Sequence, residues 1–134
     1  MGEVVIVGAF IHDDANRVFL MKSPKWEGYG IPGGKPKTDE SEEIALRREV
    51  REELGIEISD LVKAEEIRLS PTKKIDGKTA FTVKPYFAYA LTTDITPNAE
   101  VGEHGWYTLD EALKLDLLEP IRKTVKTYSR ITTE

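Results

Sequence analysis

Residues 34–56 read GKPKTDESEEIALRREVREELGI, and this stretch predicts an amphipathic helix with a dense acidic face. Leu46, Val50 and Leu54 recur at steps of four, which is the spacing of side chains that share one face of an α-helix. We therefore expect this helix to pack on the protein core along these three residues.

The helix ends are marked by residues that commonly cap helices. Thr38 or Asp39 can accept a hydrogen bond at the N-terminus, and Glu42 completes a capping-box pattern with Asp39. Gly55 suits the left-handed conformation that often ends a helix. These signals predict a helix that begins shortly after residue 39 and ends before Gly55.

A cluster of carboxylates lies beside the apolar stripe. At about 100° per residue, Glu42, Glu49, Glu52 and Glu53 fall on one face of the predicted helix. Like charges at spacings of three and four destabilise a helix by roughly 0.2–0.5 kcal/mol per pair, so a compensating cation is expected. A hard divalent metal bound through oxygen fits this face. Glu42 fits the N-terminal cap better, so we leave it out of the predicted metal site.

Other patterns along the chain predict a sheet with further helices. Strands are predicted at Val4–Ile11, Val18–Met21, Leu61–Leu69, Thr79–Leu91 and Gly105–Tyr107, and helices at Leu109–Leu115 and Leu117–Tyr128. Pro85 predicts an edge position or a bulge, because proline cannot donate to a sheet ladder. This order of elements predicts a mixed sheet with helices packed on it, in an α/β or α+β fold.

Composition narrows the class of protein. The 134 residues suit a single domain spanning residues 1–134, and 40% hydrophobic content is typical of a globular chain. The absence of cysteine excludes thiol catalysis, and two distant histidines do not form a clustered zinc site. A net charge of −5 argues against binding to a nucleic-acid backbone. No apolar run is long enough for a membrane span, and the N-terminus lacks the features of a signal peptide, so we expect a cytoplasmic protein.

The acidic helix and its flanks resemble the Nudix hydrolase family. The intervals of the family's box are matched by Gly34, Glu40, Arg48, Glu49, the aliphatic Val50, Glu52, Glu53, Gly55 and the aliphatic Ile56. Residues 31–34 (IPGG) and 103–113 (EHGWYTLDEAL) are also similar to the family. The resemblance implies the Nudix fold, with a mixed β-sheet sandwiched between α-helices.

The resemblance implies a pyrophosphohydrolase that uses Mg²⁺ or Mn²⁺. The implied metal ligands are the Gly33 carbonyl, Glu49, Glu52, Glu53 and Glu100. A metal of this kind polarises a phosphoryl oxygen and acidifies water, while a carboxylate accepts the proton. The candidate catalytic residues are Glu52 or Glu49 as the base, Glu103 as a base from a later loop, and Arg48 as the residue that orients a carboxylate. Glu40 is assigned a structural role.

The implied substrate is a nucleoside diphosphate linked to another group. Pro71 stands 15 residues after Ile56, a spacing that marks the ADP-ribose branch of the family, so ADP-ribose or a nucleotide sugar is weighed equally with a nucleoside triphosphate. The candidate substrate-binding residues are two lysines for the phosphates and three aromatic residues for stacking on a base: Lys22, Lys35, Trp26, Tyr29 and Tyr86. Phe81 and Trp106 are further aromatic candidates. Many relatives are dimers, so a homodimer is a possible assembly.

Two hypotheses from other classes remain. A Nudix-type domain can sense or bind a nucleotide without turnover, but such domains usually lose box carboxylates, and this chain keeps them. An acidic calcium-binding helix in a structural protein would need a loop of the D-x-D-x-D-G type, which the sequence lacks.

Overall fold

The structure is a computed structural model that describes residues 3–71 and 77–133. Within these residues the elements in chain order are β1 (Glu3–His12), β2 (Val18–Met21), β3 (Gly33–Gly34), α1 (Glu42–Leu54), β4 (Ile58–Lys63), β5 (Ile67–Leu69), β6 (Ala80–Ala90), β7 (His104–Tyr107), α2 (Leu109–Leu113) and α3 (Glu119–Thr133). The first two predicted strands, the short strand before residue 108 and the two C-terminal helices are confirmed within a few residues, and the first two strands pair as an antiparallel hairpin.

The strands form one mixed sheet with helices on both faces. Its order is β4-β6-β1-β2-β7, with β3 paired to β1 and β5 paired to β6. The central strands β1 and β6 run parallel, and the other pairs are antiparallel. One core cluster lies between the sheet and α1, and a second lies between the sheet and the α2–α3 pair. The predicted α+β class, a mixed sheet between helices, is confirmed.

Helix α1 packs as its sequence predicts but begins at a different cap. Leu46, Val50 and Leu54 are fully buried, and Gly55 adopts φ 70° at the C-terminus, so these predictions are confirmed. The N-cap is Ser41, whose hydroxyl accepts a hydrogen bond from the Ile44 N–H at 3.2 Å. The prediction of Thr38 or Asp39 as the cap was therefore wrong.

The second half of the sheet corrects two strand predictions. The predicted strand Leu61–Leu69 consists of two strands, β4 and β5, both paired to β6. Pro85 is not at an edge, because β6 lies between β1 and the β4–β5 pair. It lies opposite the irregular break between β4 and β5, where residues 64–66 face residues 84–85. Its carbonyl accepts from the Ala64 N–H in the gap between β4 and β5. A strand residue directs both backbone groups to the same side, so the missing N–H of Pro85 faces this gap, where no ladder bond is lost.

Strand β3 was not predicted and is important for the site. Gly33 pairs with Gly8 and Gly34 with Val7 of β1, which fixes the glycine pair to the central strand. Helix α1 contacts both β1 and β3. The loop before α1 is therefore held against the helix face that carries the acidic residues. Among the described residues, none of the helices has the length and apolar character required to cross a membrane.

A polar contact that joins α1 to β6 predicts pH-dependent stability. The Tyr86 hydroxyl donates to Glu42 at 2.7 Å, and Lys84 lies 3.1 Å from the same carboxylate. The Tyr86 hydrogen bond is the largest of the contacts that hold the pKa of Glu42 below its usual value. A lowered carboxylate pKa contributes stability above the unfolded-state pKa, and this contribution is lost as the pH falls through the folded-state pKa.

We expect Tyr86→Phe to lower the free energy of unfolding by about 1–2 kcal/mol at neutral pH, because a hydrogen bond to a charged group is lost. Denaturant titrations at neutral pH and at about pH 3 measure this loss, which should shrink at the lower pH as Glu42 becomes protonated. An equal loss at both pH values would show that Glu42 is not the partner that matters.

Candidate functional site

The glycine pair of β3 lies directly against two carboxylates of α1. The Gly33 N–H donates to Glu53 Oε1 at 3.0 Å. A Cβ atom placed on Gly34 would lie 2.0 Å from Glu49 Oε2, so the Glu49 carboxylate occupies the space that any side chain would need. The sequence GG is therefore required here by close approach, and it brings two acids that are one helical turn apart to the same loop.

Arg48 connects the other acids of the site. Its guanidinium forms a fork with Glu40, from Nε to Oε2 at 2.6 Å and from Nη2 to Oε1 at 2.8 Å. Nη1 donates to Glu52 at 3.1 Å and to Glu49 at 3.3 Å, and Nη2 also donates to the Lys35 carbonyl at 3.3 Å. A planar guanidinium can hold several oxygens in fixed directions, which an ammonium cannot. This geometry supports the predicted orienting role of Arg48 and the structural role of Glu40.

The pKa of Glu40, which supports Arg48, shifts in the opposite direction from the pKa values of Glu49 and Glu53, which face the glycine pair. The fork with Arg48 is the main cause that lowers the pKa of Glu40 to about 2. Burial, followed by the charge of Glu49, raises the pKa of Glu53 to about 8, although the Gly33 N–H opposes this shift. The charges of Glu52 and Glu100 raise it further. Burial also raises the pKa of Glu49. Negative charge is therefore costly at this point, and a bound cation would relieve the cost.

These residues fit a hard divalent cation. The buried carboxylate of Glu53 and the carboxylate of Glu49 supply oxygen donors beside the β3 backbone. In the part of the chain that the structure describes, no three acidic or histidine side chains are gathered as a complete ligand set. Mg²⁺ commonly binds through one or two carboxylates and keeps waters or substrate phosphates as its other ligands. A site of this kind matches the partial ligand set.

A second group of predicted residues meets at the end of β2. The Tyr29 hydroxyl donates to Glu103 Oε2 at 2.9 Å, and the Lys22 Nζ lies 5.1 Å from the centre of the Tyr29 ring. The backbone N–H of Lys22 donates to the Glu103 carbonyl at 2.8 Å. Burial, and then the Glu103 contact, raise the pKa of Tyr29. The structure thus brings Glu103 to Lys22 and Tyr29, which precede it by more than 70 residues in sequence.

Glu100 lies in a loop that is tied to the end of α1. The Asn98 N–H donates to the Glu53 carbonyl at 3.0 Å, and the Asn98 side chain accepts from the Glu100 N–H at 2.9 Å. Glu100 itself is exposed but close enough to raise the pKa of Glu53. This position supports Glu100 as a further oxygen donor near the carboxylate cluster.

An apolar pocket adjoins the carboxylates at Gly33. It opens to solvent on one side and spans about 610 Å³ when its open mouth is counted. Its walls come from β1, β5, β6, the loop 26–33 and the start of α3. Trp26 and Phe81, two of the predicted aromatic candidates, line it. Its aliphatic lining was not predicted; it includes Ile6, Ile31, Ile67, Leu69, Val83 and Leu118.

The remaining candidates lie elsewhere. Tyr86, predicted to bind substrate, lies in the core cluster under α1, and its hydroxyl is bonded to Glu42. Residues 81 and 83 line the pocket on the opposite face of β6, so the position of Tyr86 does not support a substrate contact. Trp106 packs on Phe19, and its indole N–H donates to a loop carbonyl. Lys35 is exposed beside the Arg48 guanidinium.

Comparison with known proteins finds a matching family model and two similar proteins. The family model described as NUDIX domain matches residues 2–128. A putative 8-oxo-dGTP diphosphatase 2 of Mycobacterium tuberculosis is 33% identical over 96 residues, covering 68% of this chain and 63% of that protein. The mRNA-decapping enzyme subunit 2 of Arabidopsis thaliana is 27% identical over 144 residues, covering 93% of this chain and 37% of that protein. The chain thus spans less than two thirds of the length of either protein.

A solved structure is also similar over nearly the whole chain. The MutT NUDIX hydrolase from Burkholderia pseudomallei superposes with a TM-score of 0.77 at 27% identity, covering 94% of this chain and 98% of that one.

Proposed function

Because the chain belongs to the NUDIX domain family, we propose that it hydrolyses the diphosphate linkage of a nucleoside diphosphate derivative with the help of Mg²⁺ or Mn²⁺. The observation that carries this proposal is the position of Glu49 and Glu53 against the glycine pair, of which Gly33 also lines an apolar pocket. A diphosphate held at the carboxylates places its organic group in the pocket. The proposal thus accounts for both the carboxylates and the apolar pocket.

The residues of the site have different roles in the proposed hydrolysis. A divalent cation at Glu49 and Glu53 would neutralise phosphate charge and acidify water. Arg48 fixes the Glu49 and Glu52 carboxylates, with Glu40 holding the guanidinium from the other side. Water attacks phosphorus, the bond from phosphorus to the bridging oxygen breaks, and a carboxylate accepts the proton of the water. We assign this proton transfer to Glu52 rather than Glu49, since Glu49 is more buried and faces the glycine pair.

Two substrate classes have support. The spacing of Pro71 after Ile56 favours ADP-ribose or a nucleotide sugar. Similarity to a protein described as a putative 8-oxo-dGTP diphosphatase favours a nucleoside triphosphate. In either case, we expect Lys22 and the exposed Lys35 to attract phosphates, and Trp26, which lines the pocket, to contact the base.

A panel of substrates tests the proposed function. ADP-ribose, nucleotide sugars, nucleoside triphosphates and dinucleoside polyphosphates are each incubated with Mg²⁺, Mn²⁺ or a chelator, and product release is measured. We expect metal-dependent turnover of at least one class and none with the chelator. If nucleotides bind but no class is turned over, the chain is a nucleotide-binding domain and the hydrolase proposal fails.

Gly34→Ala is expected to impair activity with little change in stability. The new methyl group must displace the Glu49 carboxylate, because its Cβ would lie 2.0 Å from Oε2. We expect kcat/KM to fall about a hundredfold, as misplaced groups of this kind commonly cost. The thermal midpoint should change little, since the displaced atoms belong to the end of a side chain.

Gly33→Ala provides the contrast for this prediction. A Cβ there would lie 2.0 Å from the Val7 carbonyl oxygen, and backbone cannot move aside as a side chain can. Gly33→Ala should therefore lower the thermal midpoint markedly. If Gly34→Ala keeps full activity, the Glu49 carboxylate does not need its observed position.

A further inference from the structure

The apolar pocket next to the carboxylates has a lining that bears on how a base is recognised. Among its described lining residues, the indole N–H of Trp26 is the single polar side-chain group, and the others are aliphatic, phenylalanine, proline or glycine. Selective recognition of one base requires hydrogen bonds to its edge, and each bidentate contact needs a polar side chain or a free backbone group. The lining side chains offer almost no such groups.

The backbone around the pocket is largely committed to other hydrogen bonds. On β1, Gly8 is paired with Gly33 on one side and with β6 on the other. Val83 of β6 lies between β1 and β5 and is paired with both. Gly30 donates to and accepts from Met21, and the Gly33 N–H is bonded to Glu53. Apart from the Gly33 carbonyl, which is a predicted metal ligand, the peptide groups of these wall residues are therefore committed to other partners.

We propose that this pocket takes the base of a nucleotide through apolar and stacking contacts alone, so that the four common bases are accepted with similar efficiency. This inference rests on the proposed function only in placing the organic group of the substrate in the pocket. Every nucleobase has an apolar face, while the hydrogen-bonding edges differ among bases and would remain at the open mouth. Phosphate and metal contacts then supply the selectivity of the site.

The expected discrimination follows from the kind of contact. A site that hydrogen-bonds its substrate rejects an analogue without the bonding group by about 10⁴–10⁵-fold, while apolar pockets discriminate by only about 10–200-fold. We expect kcat/KM for the adenine, guanine, cytosine and uracil nucleoside triphosphates to agree within about tenfold. A single base preferred by more than about a thousandfold, beyond what an apolar pocket supplies, would overturn the inference.

An apolar base analogue gives a sharper test. Difluorotoluene has nearly the shape of thymine but lacks its hydrogen-bonding edge. We expect the deoxynucleoside triphosphate of difluorotoluene to bind and react within about threefold of dTTP, because the lining provides no bonds for the edge to lose. A loss of more than about a hundredfold would show that the edge is read, and would overturn the inference.

Binding is measured separately from turnover. Trp26 lines the pocket and Trp106 does not, so a Trp106→Phe variant reports nucleotide binding through Trp26 fluorescence. Dissociation constants that agree among bases support the inference even if turnover is missing, in which case only the hydrolase proposal fails. Turnover with strong base preference sinks the inference and leaves the hydrolase proposal intact.

Two variants of the pocket test whether nucleotide binding depends on this cavity. A Cβ on Gly8 would lie 2.8 Å from the Ile31 Cδ1 atom, so Gly8→Ala adds a methyl group to the pocket lining and displaces the Ile31 side chain, which also lines it. Phe81→Leu removes a ring from the wall but keeps it apolar. Each should weaken binding of all four nucleotides by a similar factor of about 3–10, and Val62→Ala, at a 60% exposed position on β4, should not. Unchanged binding in both pocket variants would overturn the assignment of the base to this pocket.

Discussion

Glu53→Gln is expected to lower metal-dependent kcat/KM by about a thousandfold, equivalent to a loss of about 4 kcal/mol of transition-state stabilisation. Glu53 is buried beside the Gly33 N–H, and Glu49 lies one turn away against Gly34. Glutamine keeps the shape and can still accept the Gly33 hydrogen bond, but it removes the charge that a divalent cation requires. Steady-state hydrolysis of the best substrate in the panel measures the effect.

A second measurement separates loss of the metal site from loss of the fold. A ligand that binds only the folded state stabilises it by RT ln(1 + [L]/Kd), so Mg²⁺ or Mn²⁺ should raise the thermal midpoint of the wild type. We expect this increase to be small or absent in Glu53→Gln. In the absence of metal, the variant should be at least as stable as the wild type, because it no longer buries a carboxylate among like charges.

Glu43→Gln is the matched control for Glu53→Gln. Glu43 lies on the same helix but is exposed in its first turn. The same change there should leave activity and metal-induced stabilisation unchanged. Undiminished activity in Glu53→Gln would contradict the metal-site assignment, and equal losses in both variants would point to a general effect on the helix.

The elements that local sequence specifies were predictable. Leu46, Val50 and Leu54 form a buried stripe because their spacing alone places them on one side of a helix. The helix start was not predictable in the same way, since Thr38, Asp39 and Ser41 are all residue types that can serve as a cap. Ser41 is the cap, while Glu40 before it is bonded to Arg48, eight residues later. That long-range fork is not visible in a local pattern.

The acidic half of the site follows from one short segment, but the apolar half does not. Glu49 and Glu53 share a helix face, so their proximity could be inferred from spacing. The pocket takes its residues from strands, a loop and a helix spread over more than a hundred positions, and its members look like ordinary core residues in sequence. Only the tertiary structure distinguishes Phe81, which lines the pocket, from Tyr86, which packs under α1 on the other face of the strand.

Neither the fold nor the motif decides between Glu52 and Glu103 as the general base. Glu52 is bonded to Arg48, and its side chain is 53% exposed, so it is open to water. Glu103 is also exposed, but one of its oxygens already accepts the Tyr29 hydroxyl at 2.9 Å. A general base must contact the attacking water directly or through one water molecule. The accessible Glu52 carboxylate, held in place by Arg48, meets this requirement better than Glu103.

Glu52→Gln is therefore expected to lower kcat by about 10²–10⁴-fold with little change in KM, which is the usual contribution of a positioned base. Glu103→Gln should lower kcat by no more than about tenfold, because removing its charge affects mainly the Tyr29 contact and the position of that loop. Tyr29→Phe is the companion variant, since it releases the Glu103 carboxylate without removing it. If Glu103→Gln gives the larger loss and Tyr29→Phe changes kcat as well, proton transfer belongs to Glu103, and Glu52 serves as a partner of Arg48.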